Sequence, residues 1–116
     1  MGSIRRVYDA EGDILDVDFR LTGQKPQRGI ELHDNVTVWG DAQGTRILHL
    51  TLLSYSTLLG QPSLSLTGLK KLPTQERTSL LKLLKSKPIK RFLVCLDEKK
   101  VRFRVTEPGV REAASA

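Results

Sequence analysis

Alternating apolar and polar positions dominate the chain and predict an antiparallel sheet with little helix. The alternation flanks the segment DAEGD (residues 9–13) and returns over residues 36–53 and 90–107. Such alternation is typical of strands that bury one face. Residues 73–86 instead space their leucines three and four apart, which predicts an amphipathic helix. The pattern therefore predicts an α+β fold: a small antiparallel sheet of hairpins with a short helix, then one amphipathic helix and a C-terminal β-hairpin.

The length predicts one domain over residues 1–116, because a chain of this size forms one compact unit. Within it we expect the sheet and the short helix over residues 1–59. A Gly-, Pro- and Ser-containing segment, residues 60–72, is predicted to be a loop. The second helix and the hairpin follow over residues 73–110, and residues 111–116 are predicted to be a flexible tail.

The acid-rich hairpin raises the question of a metal site. Five acids lie within twelve residues: Asp9, Glu11, Asp13, Asp16 and Asp18. A calcium loop starting at Asp9 would need a glycine at its sixth position and a glutamate at its twelfth, but the chain has Gly12 at the fourth and Arg20 at the twelfth. A turn over residues 10–13 instead places Arg5 across from Asp18, an opposite-charge pair on the solvated face. We therefore predict turn and surface roles and no metal.

The next hairpin suggests self-association. A four-residue turn over Asp41–Gly44 would pair Val38 with Ile47. Both faces of this strand pair would then carry large apolar groups, and each face would need a cover. The C-terminal half could cover one face and a second subunit the other, which predicts a homodimer. The residues predicted to associate are Trp39, Leu48 and Leu50.

The N-terminal half resembles a known bacterial family. Tyr8-Asp9, Asp13-x-Leu15 and the stretch from GIELHD to SYSTLL are similar to domain-of-unknown-function family 2283, over about residues 6–59. The C-terminal half is unmatched. The resemblance implies a small sheet with a short helix and no established activity. Some members lie beside toxin-like genes, which leaves an antitoxin role open.

The charge is distributed unevenly and suggests an anionic partner. Residues 1–60 carry six Lys/Arg and eight Asp/Glu, a net charge of −2, whereas residues 61–116 carry thirteen and five, a net charge of +8. A basic half favours an acidic protein or a nucleic acid as partner, although a solvated helix and strand face would show the same pattern. The predicted contacts to such a partner are Lys82, Lys85, Arg102 and Arg104.

The remaining chemistry-bearing residues predict no catalytic site and no cofactor. His33 and His49 lie near different strands, and no cysteine or carboxylate completes a ligand set. Cys95, in FLVCL, is the only cysteine and is predicted to pack as a small hydrophobe rather than to react. The sequence contains no signal peptide and no membrane-spanning apolar run, so we expect a cytoplasmic protein without membrane contact.

The sequence leads to a function hypothesis with one alternative. The protein is expected to be a non-catalytic protein-interaction domain that self-associates. The alternative is a basic, nucleic-acid-associated regulator, antitoxin-like in the sense that the family resemblance implies.

Overall fold

Two antiparallel sheets and several short helices make up the part of the chain that the computed structural model describes, residues 4–19, 25–26 and 28–107. In chain order the elements are β1 (Arg5–Asp9), β2 (Ile14–Asp18), β3 (Arg28–His33), β4 (Val36–Gly40), β5 (Ile47–Leu53), α1 (Tyr55–Leu59), β6 (Leu64–Ser65), a 3₁₀ helix (Thr67–Lys71), α2 (Thr74–Leu84), α3 (Lys87–Lys90), β7 (Leu93–Asp97) and β8 (Arg102–Val105). The strand order is β1-β2-β5-β4-β3 in the first sheet and β6-β8-β7 in the second. This arrangement confirms the predicted α+β class.

The N-terminal hairpin has the predicted register. Arg5 pairs with Asp18 and Tyr8 with Leu15, as a turn over residues 10–13 requires. Asp13, the last residue of the turn, takes the left-handed conformation, with a φ of 54°. Aspartate tolerates this region of backbone conformation better than most residue types. A short turn between two alternating segments was therefore enough to determine the pairing.

The register of the β4–β5 hairpin was predicted wrongly. Val38 pairs with Leu50 instead of Ile47, and Ile47 pairs with Gly40 at the end of the ladder. The connection is therefore the six residues Asp41–Arg46 rather than a four-residue turn.

Hydrogen bonds within this connection explain its length. The Asp41 carboxylate accepts the backbone N–H groups of Thr45 at 2.8 Å and of Arg46 at 3.2 Å, and it also accepts the Thr45 hydroxyl. These bonds hold both residues in the turn. The ladder also shifts register between Trp39 and Gly40, and such a bulge is not visible in a hydrophobic pattern.

The observed register gives the large sheet one apolar and one polar face. Leu50 and Leu52 are fully buried, on the same side as Val36 and Val38. The opposite side carries Asp16, Asp18, Thr37, His49 and Thr51 at its centre. The prediction of two apolar faces is therefore wrong, since an antiparallel sheet with one solvated face needs only one cover.

The predicted self-association residues do not form one surface. Leu48 is 1% exposed and Leu50 is 0% exposed, so neither is accessible to a second subunit. Trp39 lies on the polar face and is 38% exposed, with its ring over Gly29 of the neighbouring strand. The interface prediction is wrong for both leucines, because it was based on the incorrect register.

The C-terminal half covers the apolar face of the large sheet. One continuous cluster of buried side chains joins Val17 and Leu50 of this sheet to Leu84 of α2 and Phe103 of β8. The last strands do not extend the large sheet, because β7 and β8 pair with β6 in a sheet of their own. The described halves of the chain therefore share a core.

The segment 60–72 is more structured than the predicted loop. It contains β6 and the 3₁₀ helix, and the latter packs closely against β3. Gly68 is buried in this contact, and a Cβ atom there would overlap the Glu31 carbonyl oxygen and lie 2.7 Å from the Leu32 Cα. The segment therefore closes one edge of the large sheet.

The helix and the C-terminal hairpin lie close to their predicted positions. The helix predicted over residues 73–86 is α2, which begins after Pro73 and ends at Leu84. Pro88 lies in the first turn of the next short helix, α3. The predicted alternation of β8 is confirmed, since Phe103 is buried and its neighbours Arg102 and Arg104 are exposed. The predicted tail, residues 111–116, lies outside the described residues.

Candidate functional site

Asp13 of the first hairpin has structural partners. The Asp13 carboxylate accepts hydrogen bonds from the Tyr8 hydroxyl at 2.6 Å, the Ser56 hydroxyl at 2.6 Å and the Ser56 backbone N–H at 3.0 Å. The bonds from Ser56, and then that from Tyr8, lower the pKa of Asp13. Ser54 precedes α1 without making a side-chain cap, so Asp13 satisfies the start of this helix from the β1–β2 turn.

Asp16 lies in a polar cluster on the open face of the large sheet. Its Oδ1 accepts the Thr51 hydroxyl at 2.9 Å and lies 3.1 Å from His49 Nε2. A catalytic triad would direct the hydroxyl to the histidine and the histidine to the acid. Here the hydroxyl and the imidazole both bond to the carboxylate. The cluster therefore holds neighbouring strands together and does not activate a nucleophile.

The histidines and the cysteine do not form a site within the described residues. His33 Nδ1 accepts the backbone N–H of Asn35 in the β3–β4 turn, and β4 separates its strand, β3, from β5, which carries His49. The residues that the structure describes include no group of three or more His, Cys, Asp or Glu suited to a metal. Cys95 is half-buried against the core, and burial raises the pKa of its thiol, which disfavours the reactive thiolate.

A groove with an apolar floor lies between α2 and the β3–β4–β5 side of the large sheet. We call it the α2 groove, and its volume is about 320 Å³. Its floor is formed by Ile30, Val38, Ile47, Leu72, Leu80 and Leu83. Its rim includes Arg28, Asp41, Arg46, Gln75, Glu76 and Ser79. Apolar floors with a few polar groups at the edge are typical of ligand and peptide sites, and this volume is at the small end of their range.

Two ionic contacts shape the rim of the α2 groove. Arg28 Nη2 lies 2.8 Å from Glu76 Oε1 and so links β3 to the first turn of α2. Asp41 is occupied by its own turn, and the hydrogen bonds from Thr45 lower its pKa. Arg46 makes no ion pair with the described residues, so its guanidinium is the rim cation available to an acidic group.

A second cavity, the tyrosine pocket, lies beside β1 and α1. Its volume is about 400 Å³, and its lining includes Arg6, Tyr8, Tyr55 and Glu107. The two tyrosine rings are 6.0 Å apart, and the Tyr55 hydroxyl donates to the Thr106 carbonyl at 3.1 Å. Burial raises the pKa of Tyr55 to about 12, so its hydroxyl stays protonated at pH values where an ordinary tyrosine ionises.

The predicted anion-contacting residues lie on two elements. Lys82 is exposed on α2, whereas Lys85 Nζ is paired with Glu98 Oε1 at 2.7 Å. Arg102 and Arg104 are exposed on β8, and Arg102 is in register with Asp97 on the neighbouring strand. The structure therefore keeps the two arginines together and gives Lys85 an acidic partner within the chain.

Sequence reasoning missed the α2 groove because its walls come from opposite halves of the chain. The only local signal was that Leu72 and Leu83 extend the apolar side of the helix beyond the buried pair Leu80 and Leu84. Such a pattern indicates that the helix has more apolar surface than its own packing buries, but it does not indicate which part of the chain lies opposite that surface.

Comparisons with protein-family models, curated proteins and solved structures give no match to this chain. The resemblance to domain-of-unknown-function family 2283 therefore stays a prediction. No helix in the described ranges combines the length and the apolar character that crossing a membrane requires.

Proposed function

We propose that the protein is a non-catalytic protein-interaction domain and that the α2 groove binds an apolar segment of its partner. The observation that carries this proposal is the incomplete cover of the groove floor. Ile30, Leu72 and Leu83 are only partly buried, although each lies beside fully buried core residues. A partner side chain placed there would remove apolar surface from water, at about 25 cal/mol per Å².

The chemistry around the α2 groove favours binding over catalysis. The described residues that line it include no histidine and no cysteine, and Ser79 is the only hydroxyl residue among them. The two rim carboxylates are engaged, Asp41 by its turn and Glu76 by Arg28. A nucleophile without a neighbouring base is poorly activated, so a reaction at this site would lack its usual components.

The rim suggests the composition of the partner segment. The floor accepts aliphatic or aromatic side chains, and Arg46 provides a cation next to them. A segment with two or three apolar residues and an adjacent carboxylate would satisfy both features, with the charge fixing its orientation.

A matched pair of substitutions on α2 tests the proposal. Ser79 lines the groove and Thr78, its neighbour, does not, and both side chains are exposed. Ser79→Trp should fill the groove, whereas Thr78→Trp should place the same bulk outside it. Peptides selected from a random phage-displayed dodecapeptide library against the wild type are the probe.

We expect the selected peptides to be apolar with an acidic residue. They should bind the Thr78→Trp variant like the wild type and the Ser79→Trp variant at least about tenfold more weakly, a difference of about 1.4 kcal/mol. Fluorescence anisotropy measures both. Equal binding to the two variants, or no enrichment of any peptide, would contradict the proposal.

A second candidate function is a basic, nucleic-acid-associated regulator in the cytoplasm. It is favoured by the exposed arginines of β8 and by seven exposed Lys/Arg side chains among the eight in residues 70–91. Replacing Arg102 and Arg104 together with glutamine should weaken binding to a labelled DNA duplex and lower its salt dependence. No binding of the wild type to the duplex at low salt would remove this candidate.

A further inference from the structure

Strand β1 is an open sheet edge. It is the outermost strand of the five-stranded sheet, and all five of its residues are exposed. Val7 is 58% exposed and Tyr8 is 49% exposed. One side of its backbone pairs with β2, and the other side meets no further strand in the described part of the chain. Unpaired N–H and C=O groups along such an edge can accept another strand.

The sequence of β1, Arg5-Arg6-Val7-Tyr8-Asp9, is complementary to itself when two copies run antiparallel. Pairing centred on Val7 sets Val7 against Val7 of the second copy, Arg5 against Asp9 and Arg6 against Tyr8. Cross-strand pairs of opposite charge stabilise a sheet, and an arginine beside a tyrosine ring adds a cation–π contact. The Asp9 carboxylate is partly available, since only its Oδ1 accepts a described hydrogen bond, from the Glu11 N–H.

We propose that two copies of the protein associate through their β1 edges, in a two-fold arrangement centred on Val7 that joins the two large sheets into one. A two-fold axis perpendicular to the sheet keeps corresponding side chains on the same face, so the pairing must be centred on one residue. A centre at Arg6 would oppose two arginines. A centre at Tyr8 would pair only residues 7–9 of each strand, because Arg5 and Arg6 would then face positions 11 and 10, which lie in the turn beyond β1. The surface differs from the one around Trp39 that the sequence predicted, and it does not involve the α2 groove.

The proposed arrangement also changes the surroundings of the tyrosine pocket. Arg6 and Tyr8 line this pocket from the inward side of β1. In the dimer they would lie opposite Tyr8 and Arg6 of the second copy, so the two pockets would meet at the axis. The second copy would therefore place its own Arg6 and Tyr8 side chains beside each pocket.

A cysteine cross-link tests the position of the axis. Residues directly opposite in an antiparallel pair have Cα atoms about 4.5–5.5 Å apart, which a disulfide can bridge. In a Cys95→Ala background, Val7→Cys should form a disulfide-linked dimer of twice the 13.0 kDa chain mass under mild oxidation. Leu96→Cys is the matched control, because Leu96 is 52% exposed and lies in the other sheet. Equal cross-linking of the two variants, or none at Val7→Cys, would overturn the proposal.

A charge exchange tests the register. Arg5→Asp would set two aspartates against each other at both ends of the pairing, and Asp9→Lys would do the same with cations. We expect each variant alone to sediment as a monomer at concentrations where the wild type is dimeric. A mixture of the two variants should recover dimers, because position 5 of each chain then faces an opposite charge at position 9 of the other. Sedimentation velocity measures all three samples.

The outcomes separate this inference from the proposed function. A wild type that stays monomeric into the millimolar range, or single variants that dimerise like the wild type, would contradict the β1 pairing. Neither result would change peptide binding to the α2 groove, because Ser79 and β1 lie on different parts of the molecule.

Discussion

The two edge strands of the five-stranded sheet differ in how far other parts of the chain cover them. At the β3 edge the ladder is interrupted by a register shift between Glu31 and His33, and the 3₁₀ helix packs against the strand through Gly68. At the β1 edge no described element lies against the outer backbone, and the strand shows neither a register shift nor a proline.

The difference indicates which edge is available for association. Proteins commonly protect exposed edges with bulges, charges or covering segments, because an unprotected edge pairs with other chains. Here β3 has a bulge and a covering 3₁₀ helix, while β1 has only its charges among the features that the described residues provide. The two arginines lie at one end of β1 and Asp9 lies at the other. A parallel copy, or a copy centred on Arg6, would therefore bring like charges together, whereas an antiparallel copy centred on Val7 sets Arg5 against Asp9. The charges of β1 therefore favour one arrangement of a second strand without preventing strand pairing at this edge.

The largest loss of stability is expected from a substitution that separates the 3₁₀ helix from β3. Gly68→Ala would place a methyl group against the Glu31 carbonyl and the Leu32 Cα. Because two backbones must separate to accommodate it, we expect a loss of about 3 kcal/mol in the free energy of unfolding. Urea denaturation measures this loss. Gly60→Ala is the control, since the nearest atom to its Cβ would be 3.5 Å away, and equal losses would show that Gly68 is not a packing constraint.

A smaller effect is expected where Trp39 covers Gly29 on β3. A Cβ at Gly29 would lie 2.6 Å from the indole ring, so Gly29→Ala should displace the ring into water. We expect a loss of about 1–2 kcal/mol and a red shift of the emission of Trp39, the only tryptophan. Unchanged emission would mean that the ring does not rest on the glycine. Adding Trp39→Val should remove most of the cost of the alanine.

The smallest of these effects concerns the turn that supports β1. The pKa of Asp13 is lowered in the folded state, so its carboxylate stabilises the fold above the ordinary value of 3.8, and this contribution is lost as the pH falls through the lowered value. Asp13→Asn should therefore be less stable than the wild type at pH 7, with the difference disappearing in acid. Urea midpoints between pH 2 and 7 measure this difference. Glu11→Gln in the same turn is the control and should behave like the wild type, and an identical pH profile for both variants would contradict the assignment.

The sequence predicted those features that depend on neighbouring residues and missed those that depend on contacts between distant residues. The register of β1 and β2 follows from a short turn and two alternating segments, all within fifteen residues, Arg5 to Phe19. The register of β4 and β5 depends on the Asp41 side chain and on a bulge, and neither leaves a trace in the apolar pattern. That single error placed Leu50 on the wrong face and led to a predicted dimer surface in which two of the three residues, Leu48 and Leu50, are buried.

The candidate sites were less predictable than the fold. The α2 groove needs α2 and β3 to face each other, and only the packed structure determines that. The role of Gly68 could not be predicted, because the sequence does not distinguish a glycine in a loop from a glycine that is required for close packing. The open β1 edge could have been found from RRVYD, whose charges are self-complementary, if the strand order had been known.

Hydrogen exchange at two protein concentrations tests the difference between the edges most directly. Mass spectrometry of the intact chain, digested after labelling, would compare amide exchange in residues 5–9 with that in residues 28–33. We expect the β1 amides to exchange more slowly at high than at low concentration, because the second copy protects the open edge only when dimers form. The β3 amides should exchange at the same rate in both samples. Exchange of β1 that is independent of concentration would contradict the account, as would equal concentration dependence at both edges.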